Sequence, residues 1–145
     1  MALFTSKVDY ALRALLDLAV QPPGRPAQSR EIAGRQDVPE SYLNQLLVVL
    51  RRAGLVRSVR GASGGYVLGR EPRLITVADV IQALHGQGFL GDLPAEAQLP
   101  AAWAIRNLQI RLSDTLQQEL AKTTLADLAV DVQRLDESQS LMLGL

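Results

Sequence analysis

Apolar residues recur at three- and four-residue spacing from Val8 through Leu12, Leu15, Leu16 and Ala19, which predicts a first helix. Thr5-Ser6 stands ahead of it; Ser6 is the expected cap, with Asp9 three residues later suiting the electropositive first turn. Pro22-Pro23-Gly24 ends that helix. A short second helix from Ser29, over Arg30 to Arg35, is anchored by Ile32 and Ala33. After a turn at Gln36-Asp37-Val38, Pro39 suits the first position of a third helix. This helix runs to about Ala53 and carries Leu43, Leu46, Leu47 and Leu50 on one face, and Gly54 stops it.

The period then changes. Leu55 to Arg60 reads as a strand, Gly61 to Gly65 as a tight glycine-rich turn and Tyr66 to Leu68 as the returning strand. Thr76 with Asp79 resembles a capping box, and Val77, Val80, Ile81 and Leu84 follow at helical spacing. Gly86 to Pro100 is rich in Gly and Pro and is expected to be loose. Leu99 to about Thr123 restores a long helical pattern with a stripe of Ile105, Leu108, Leu112, Leu116 and Leu120. A last amphipathic segment, Leu125 to Leu135, precedes a tail expected to fray. Three short helices followed by a two-stranded hairpin is the order of a winged helix-turn-helix. The expected fold class is mainly α with a small β-hairpin, a winged helix-turn-helix domain completed by a long C-terminal helix.

The 145 residues are 48% hydrophobic and 21% charged, enough to bury a real core and to exclude wholesale disorder. Six aromatic residues leave that core to Leu, Val, Ile and Ala; Trp103 suits either the core, the preferred reading, or an anchor of an interface on the long C-terminal helix. The chain has no Cys, which excludes disulfides, thiolate nucleophiles and Cys-ligated clusters; one His excludes a conventional multi-histidine metal site. The neutral total charge hides an asymmetry. Residues 1–75 hold eleven Lys/Arg against six Asp/Glu, and residues 76–145 hold four against nine. A basic front half suggests a polyanionic partner. No membrane anchor or export signal is legible, so the expected location is the cytoplasm.

The winged reading gives the basic residues a place. Arg51, Arg52, Arg57, Arg60, Arg70 and Arg73 gather at the end of the third helix and along the wing. The guanidinium fork suits phosphate. Gly61, Gly64 and Gly65 permit a tight wing tip that approaches a duplex closely. At the start of the third helix, Ser41 and Tyr42 can donate to phosphate, while Asn44 and Gln45 carry the amide pair that matches the adenine edge. A solvated hairpin and an ordinary polar first turn are the bland alternatives, and only position within the motif favours the DNA reading. Enzymatic chemistry has no support. No nucleophile–base pair is evident, and Ser63 in its glycine-rich turn lacks the strand-to-helix context of a nucleophile elbow.

The runs Ser41-Tyr42-Leu43-Asn44-Gln45-Leu46-Leu47, Leu50-Arg51-Arg52-Ala53-Gly54-Leu55-Val56-Arg57-Ser58-Val59-Arg60-Gly61 and Gly64-Gly65-Tyr66-Val67-Leu68-Gly69-Arg70 closely resemble the Rrf-two family. These bacterial winged-helix regulators include an iron–sulfur-cluster regulator, a nitric-oxide sensor and a cysteine-metabolism repressor. Thr5-Ser6-Lys7 with Tyr10-Ala11, and Thr124-Leu125-Ala126-Asp127-Leu128, fit the resemblance too. It implies a homodimeric, sequence-specific DNA-binding regulator. The recognition residues map onto Ser41, Tyr42, Asn44 and Gln45, the minor-groove arginine onto Arg60, and the subunit-pairing helix onto Leu99–Thr123. About 25 helical residues extend roughly 37 Å, too long for a small winged domain to cover alone.

The departure from the family lies between His85 and Pro100, where many members carry three cluster-binding cysteines and this chain has none. No cofactor is expected, and His85 reads as a helix-end residue near the C-terminal dipole. The expected organisation is a DNA-binding domain over 1–85, a loop or effector region over 86–100, and dimerisation and C-terminal helices over 101–145. The expected partners are double-stranded DNA with a (pseudo)palindromic operator and a second copy of the chain; release from DNA is left open between an unidentified small-molecule effector at Gly86–Pro100, a partner protein and no effector at all. A repressor is the leading reading. A winged-helix protein-interaction module that no longer binds DNA is the alternative.

Overall fold

The computed structural model describes residues 4–86 and 99–144. Helix α1 spans Ser6–Val20, α2 Ser29–Gln36 and α3 Glu40–Arg52; strands β1 (Val56–Val59) and β2 (Gly65–Leu68) follow. After a 3₁₀ turn at Pro72–Leu74 come α4 (Val77–His85), α5 (Pro100–Lys122) and α6 (Leu125–Met142). Helical periodicity placed every helix, and the differences lie at their ends. Thr5, not Ser6, caps α1, its hydroxyl accepting from the Val8 amide at 3.4 Å. Pro39 takes the N-cap position of α3 rather than its first turn. Gln28 and Glu31 form a capping box on α2. The expected Thr76–Asp79 box on α4 is present, its two hydrogen bonds measuring 2.9 and 3.1 Å.

One core gathers the apolar faces. Val8, Ala11, Leu15 and Leu18 of α1 meet Ile32 of α2, the four leucines of α3, Leu55 and Val56 of the wing, and Val77, Val80, Ile81 and Leu84 of α4. The hairpin is antiparallel, with Val56 paired to Leu68, Arg57 to Val67, Ser58 to Tyr66 and Val59 to Gly65. A further rung was not visible in the sequence. Ala27 bonds to Tyr66 in both directions, at 3.0 and 2.7 Å, and ties the loop before α2 to the wing. Only glycine suits position 65. Its φ is +149°, and a Cβ there would lie 2.5 Å from the Ala27 carbonyl carbon and oxygen.

The C-terminal helices pack on the winged unit. Leu120 and Leu125 are buried in the same core as α1–α4. The Val77 amide donates to the Thr123 carbonyl and the Leu125 amide to that of Ile75, both at 2.9 Å. The two capping threonines, Thr76 and Thr124, thus sit side by side in a short antiparallel bridge. Helix α6 continues to Met142, seven residues past the expected Leu135, in place of a frayed tail. It packs along α1, with Leu128 against the core.

Candidate nucleic-acid interface

Helix α3 is sharply two-faced. Leu43, Leu46, Leu47 and Leu50 are buried, while Ser41, Asn44 and Gln45 are exposed, and the same outer side continues to Arg51 and Arg52 in the last turn. Cations there also suit the electronegative end of the helix. Tyr42 separates from this group. It is half-buried, with its ring edge-on to Tyr10 of α1 at 5.8 Å and 78°, and the Arg13 guanidinium lies 5.7 Å from the Tyr10 ring. Aromatic packing therefore fixes α3 against α1 through Tyr42. No side chain caps the N-terminus of α3, so its first amides, beside Ser41, keep their donors free of side-chain acceptors.

Helix α2 is tied to α1 by contacts that periodicity does not reveal. Asp17 lies on the buried face of α1, only 1% exposed. Its carboxylate accepts two hydrogen bonds from Arg35, at 2.9 and 2.7 Å, and one from Gln36 at 3.0 Å. Bonding to Asp17 holds the Arg35 guanidinium above its ordinary pKa. A buried carboxylate needs such a partner set. The sequence signal was an acidic residue among Ala14, Leu15 and Leu18. Asp37 then turns the chain into α3 with a left-handed φ of 52°, which aspartate tolerates.

The wing brings Arg57 on β1 and Arg60 at its end to the surface, ahead of the tip formed by Gly61, Gly64 and Gly65. Gly64 is buried, and a Cβ there would strike the Val59 carbonyl. Among the described residues, Arg51, Arg52, Arg57, Arg60 and Arg70 have no carboxylate partner. Arg73 differs from the expected cluster: its Nε bonds Glu71 at 2.6 Å beside the 3₁₀ turn. Among the described residues, Ser41, Asn44, Gln45, Arg51, Arg52, Arg57 and Arg60 therefore lie on α3 and the wing as donors without a partner.

Along α5, Ile105, Leu108, Leu112 and Leu116 are exposed, whereas Leu120 is buried in the core of its own chain. Trp103 is 60% exposed, a correction to its expected core role. The periodic stripe continued past the point where the helix meets the winged unit, so spacing alone could not tell Leu120 from the rest. His85 is the last residue of α4, its Nε2 3.4 Å from the Thr5 hydroxyl. Residues 87–98 of the expected effector region lie outside the described residues. No described helix is long and apolar enough to cross a membrane.

The sequence pattern of Rrf2, described as an iron-dependent transcriptional regulator, matches residues 4–131. The helix-turn-helix-type transcriptional regulator CymR of Bacillus subtilis is 42% identical over 125 residues, covering 86% of this chain and 88% of that protein. The regulator IscR of Vibrio parahaemolyticus is 37% identical over 148 residues, covering 97% and 85%. The solved structure of CymR, the global cysteine regulator of B. subtilis, superposes with a TM-score of 0.76 at 41% identity, covering 90% of this chain and 98% of that one. That of T. potens IscR gives 0.73 at 38% identity, covering 89% and 87%. The iron in the family description finds no thiolate here. The chain has no cysteine, and no group of three His, Cys, Asp or Glu among the described residues is placed to hold a metal. A Cys-ligated cluster does not fit this chain. The matching profile, the identities spread over most of the chain and the shared winged-helix architecture agree: this chain belongs to the Rrf2 family of transcriptional regulators.

Proposed function

We propose that the chain is a homodimeric, sequence-specific DNA-binding repressor that works without an iron–sulfur cluster. One observation carries the reading. Ser41, Asn44 and Gln45 on α3 are contiguous with exposed arginines of α3 and the wing that have no carboxylate partner among the described residues. A protein surface that keeps this many cations unpaired suits a polyanion, and amides placed at the start of a recognition helix suit base edges. Arg51, Arg52 and Arg57 would hold phosphates, with Arg60 at the minor groove beside a Gly61–Gly65 tip. Residues 1–85 would read DNA, and α5 would pair two chains through Ile105, Leu108, Leu112 and Leu116. The exposure of four large apolar side chains on one helix supports that pairing. An operator with two-fold symmetry follows from a two-fold dimer.

The test is a selection of genomic fragments by the purified protein, followed by titration of a recovered fragment at two salt concentrations. Tight, competitor-resistant binding that weakens steeply with salt is the expected result. Recovery of no common sequence, with binding indifferent to salt, would reject DNA recognition and leave the protein-interaction reading.

A further inference from the structure

The wing has a second face, and the register states what it presents. Val56, Tyr66 and Leu68 pack on the core, so the alternate positions Arg57, Val59 and Val67 lie on the other side, Arg57 directly across from Val67. Val59 stands opposite Gly65, whose missing side chain leaves room for the Ala27 backbone. This face lines a cleft of about 580 Å³ whose far wall is the end of α1, at Leu18, and the proline-rich loop at Pro23. That volume is typical of sites for small organic ligands. Val59 and Val67 are half-buried yet stand outside the core cluster. Three arginines meet at the cleft: Arg57 from β1, Arg25 from the loop and Arg70 from the segment after β2. None has a carboxylate partner among the described residues. The one carboxylate in the lining, Glu71, already accepts from Arg73.

We propose that this cleft binds a small organic anion, a carboxylate or phosphate ester on an apolar body, and that the bound anion draws Arg57 away from DNA. Guanidinium forks match the anionic head, and Leu18, Pro23, Val59 and Val67 match the body. A DNA backbone offers the phosphate but no apolar group to fill the space. The effect on Arg57 rests on the DNA-binding reading above; the site itself does not.

The first experiment uses the full-length protein without DNA. Phenyl phosphate and 3-phenylpropionate are the probes, titrated calorimetrically beside inorganic phosphate and benzyl alcohol. Each aromatic anion is expected to saturate at one per chain and to bind at least about tenfold more tightly than either control. Arg25→Gln and Arg70→Gln should each weaken that binding about tenfold, the loss of one charge-assisted contact, and Arg134→Gln on α6 should leave it unchanged. Equal weak binding of all four compounds, or unaltered affinity in both arginine variants, would overturn the site. The second experiment adds phenyl phosphate to the protein bound to its selected fragment at constant ionic strength. DNA affinity should fall severalfold in the wild type and less in Arg25→Gln. Anion binding without any change in DNA affinity would overturn the link to Arg57 alone. If Arg25→Gln itself lost as much DNA affinity as Arg60→Ala, the cleft would belong to the DNA backbone and the proposal would fall. A protein that takes up the anion but selects no DNA would refute the DNA reading and leave the site standing.

Discussion

Single residues separate recognition from support. Arg60 and Arg134 are both exposed arginines, but only Arg60 lies on the wing. Arg60→Ala should weaken DNA binding about tenfold and lower the salt slope by about one, with Arg134→Ala unchanged, as read by anisotropy across a salt series. Equal small effects would reject docking through the wing. Asp17 predicts a different loss. Removing it takes three hydrogen bonds from Arg35 and Gln36, and because Arg35 is 38% exposed and keeps Glu31 at 3.7 Å the cost is below that of a fully buried pair. Asp17→Ala should lose about 2 kcal/mol in urea unfolding, and a change below about 0.5 kcal/mol would show the pair to be incidental. Gly65→Ala should cost at least as much, since it combines a positive φ with a collision against Ala27. The glycine was legible as a turn residue. The reason it cannot be replaced was not, because the Ala27 backbone arrives from 38 positions earlier and leaves no local signal.

At the scale of elements, what the sequence revealed was what repeats. The four leucines of α3 and the Val77–Leu84 face of α4 are period-3.6 signals that burial then used as written. Helix ends and partnerships were less visible. Tyr42 read as a polar donor because its residue type allows it, while its position against Tyr10 depends on how α1 crosses α3. Leu120 and Leu116 occupy one stripe, yet only Leu120 reaches the core. This difference yields a test of α5. Leu108→Glu with Leu112→Glu should convert a dimer to a folded monomer, because neither side chain belongs to the core cluster. Light scattering would read the mass and circular dichroism the retained helix. A dimer that survived both charges would place the interface elsewhere.

For the whole molecule, the charge division along the chain becomes a division in space. Among the described residues, Arg51, Arg52, Arg57 and Arg60 gather without carboxylate partners on α3 and the wing, and the acidic half supplies α4, α5 and α6. Two copies paired through α5 would present recognition helices to successive major grooves, about 34 Å apart. Inserting five base pairs between the half-sites should therefore lower affinity at least tenfold, and inserting ten should restore much of it; indifference to both would argue that one chain reads alone. The bridge of Thr76 to Thr124 gives that spacing a mechanical character. It ties the foot of α5, beside the buried Leu120, to the start of α4, and the 23-residue helix spans about 35 Å from there. A tilt of about 5° at that foot would carry the far end of α5 through about 3 Å. Displacements too small to disturb any packed side chain at the foot thereby become, at the other end, a large fraction of the rise of one base pair.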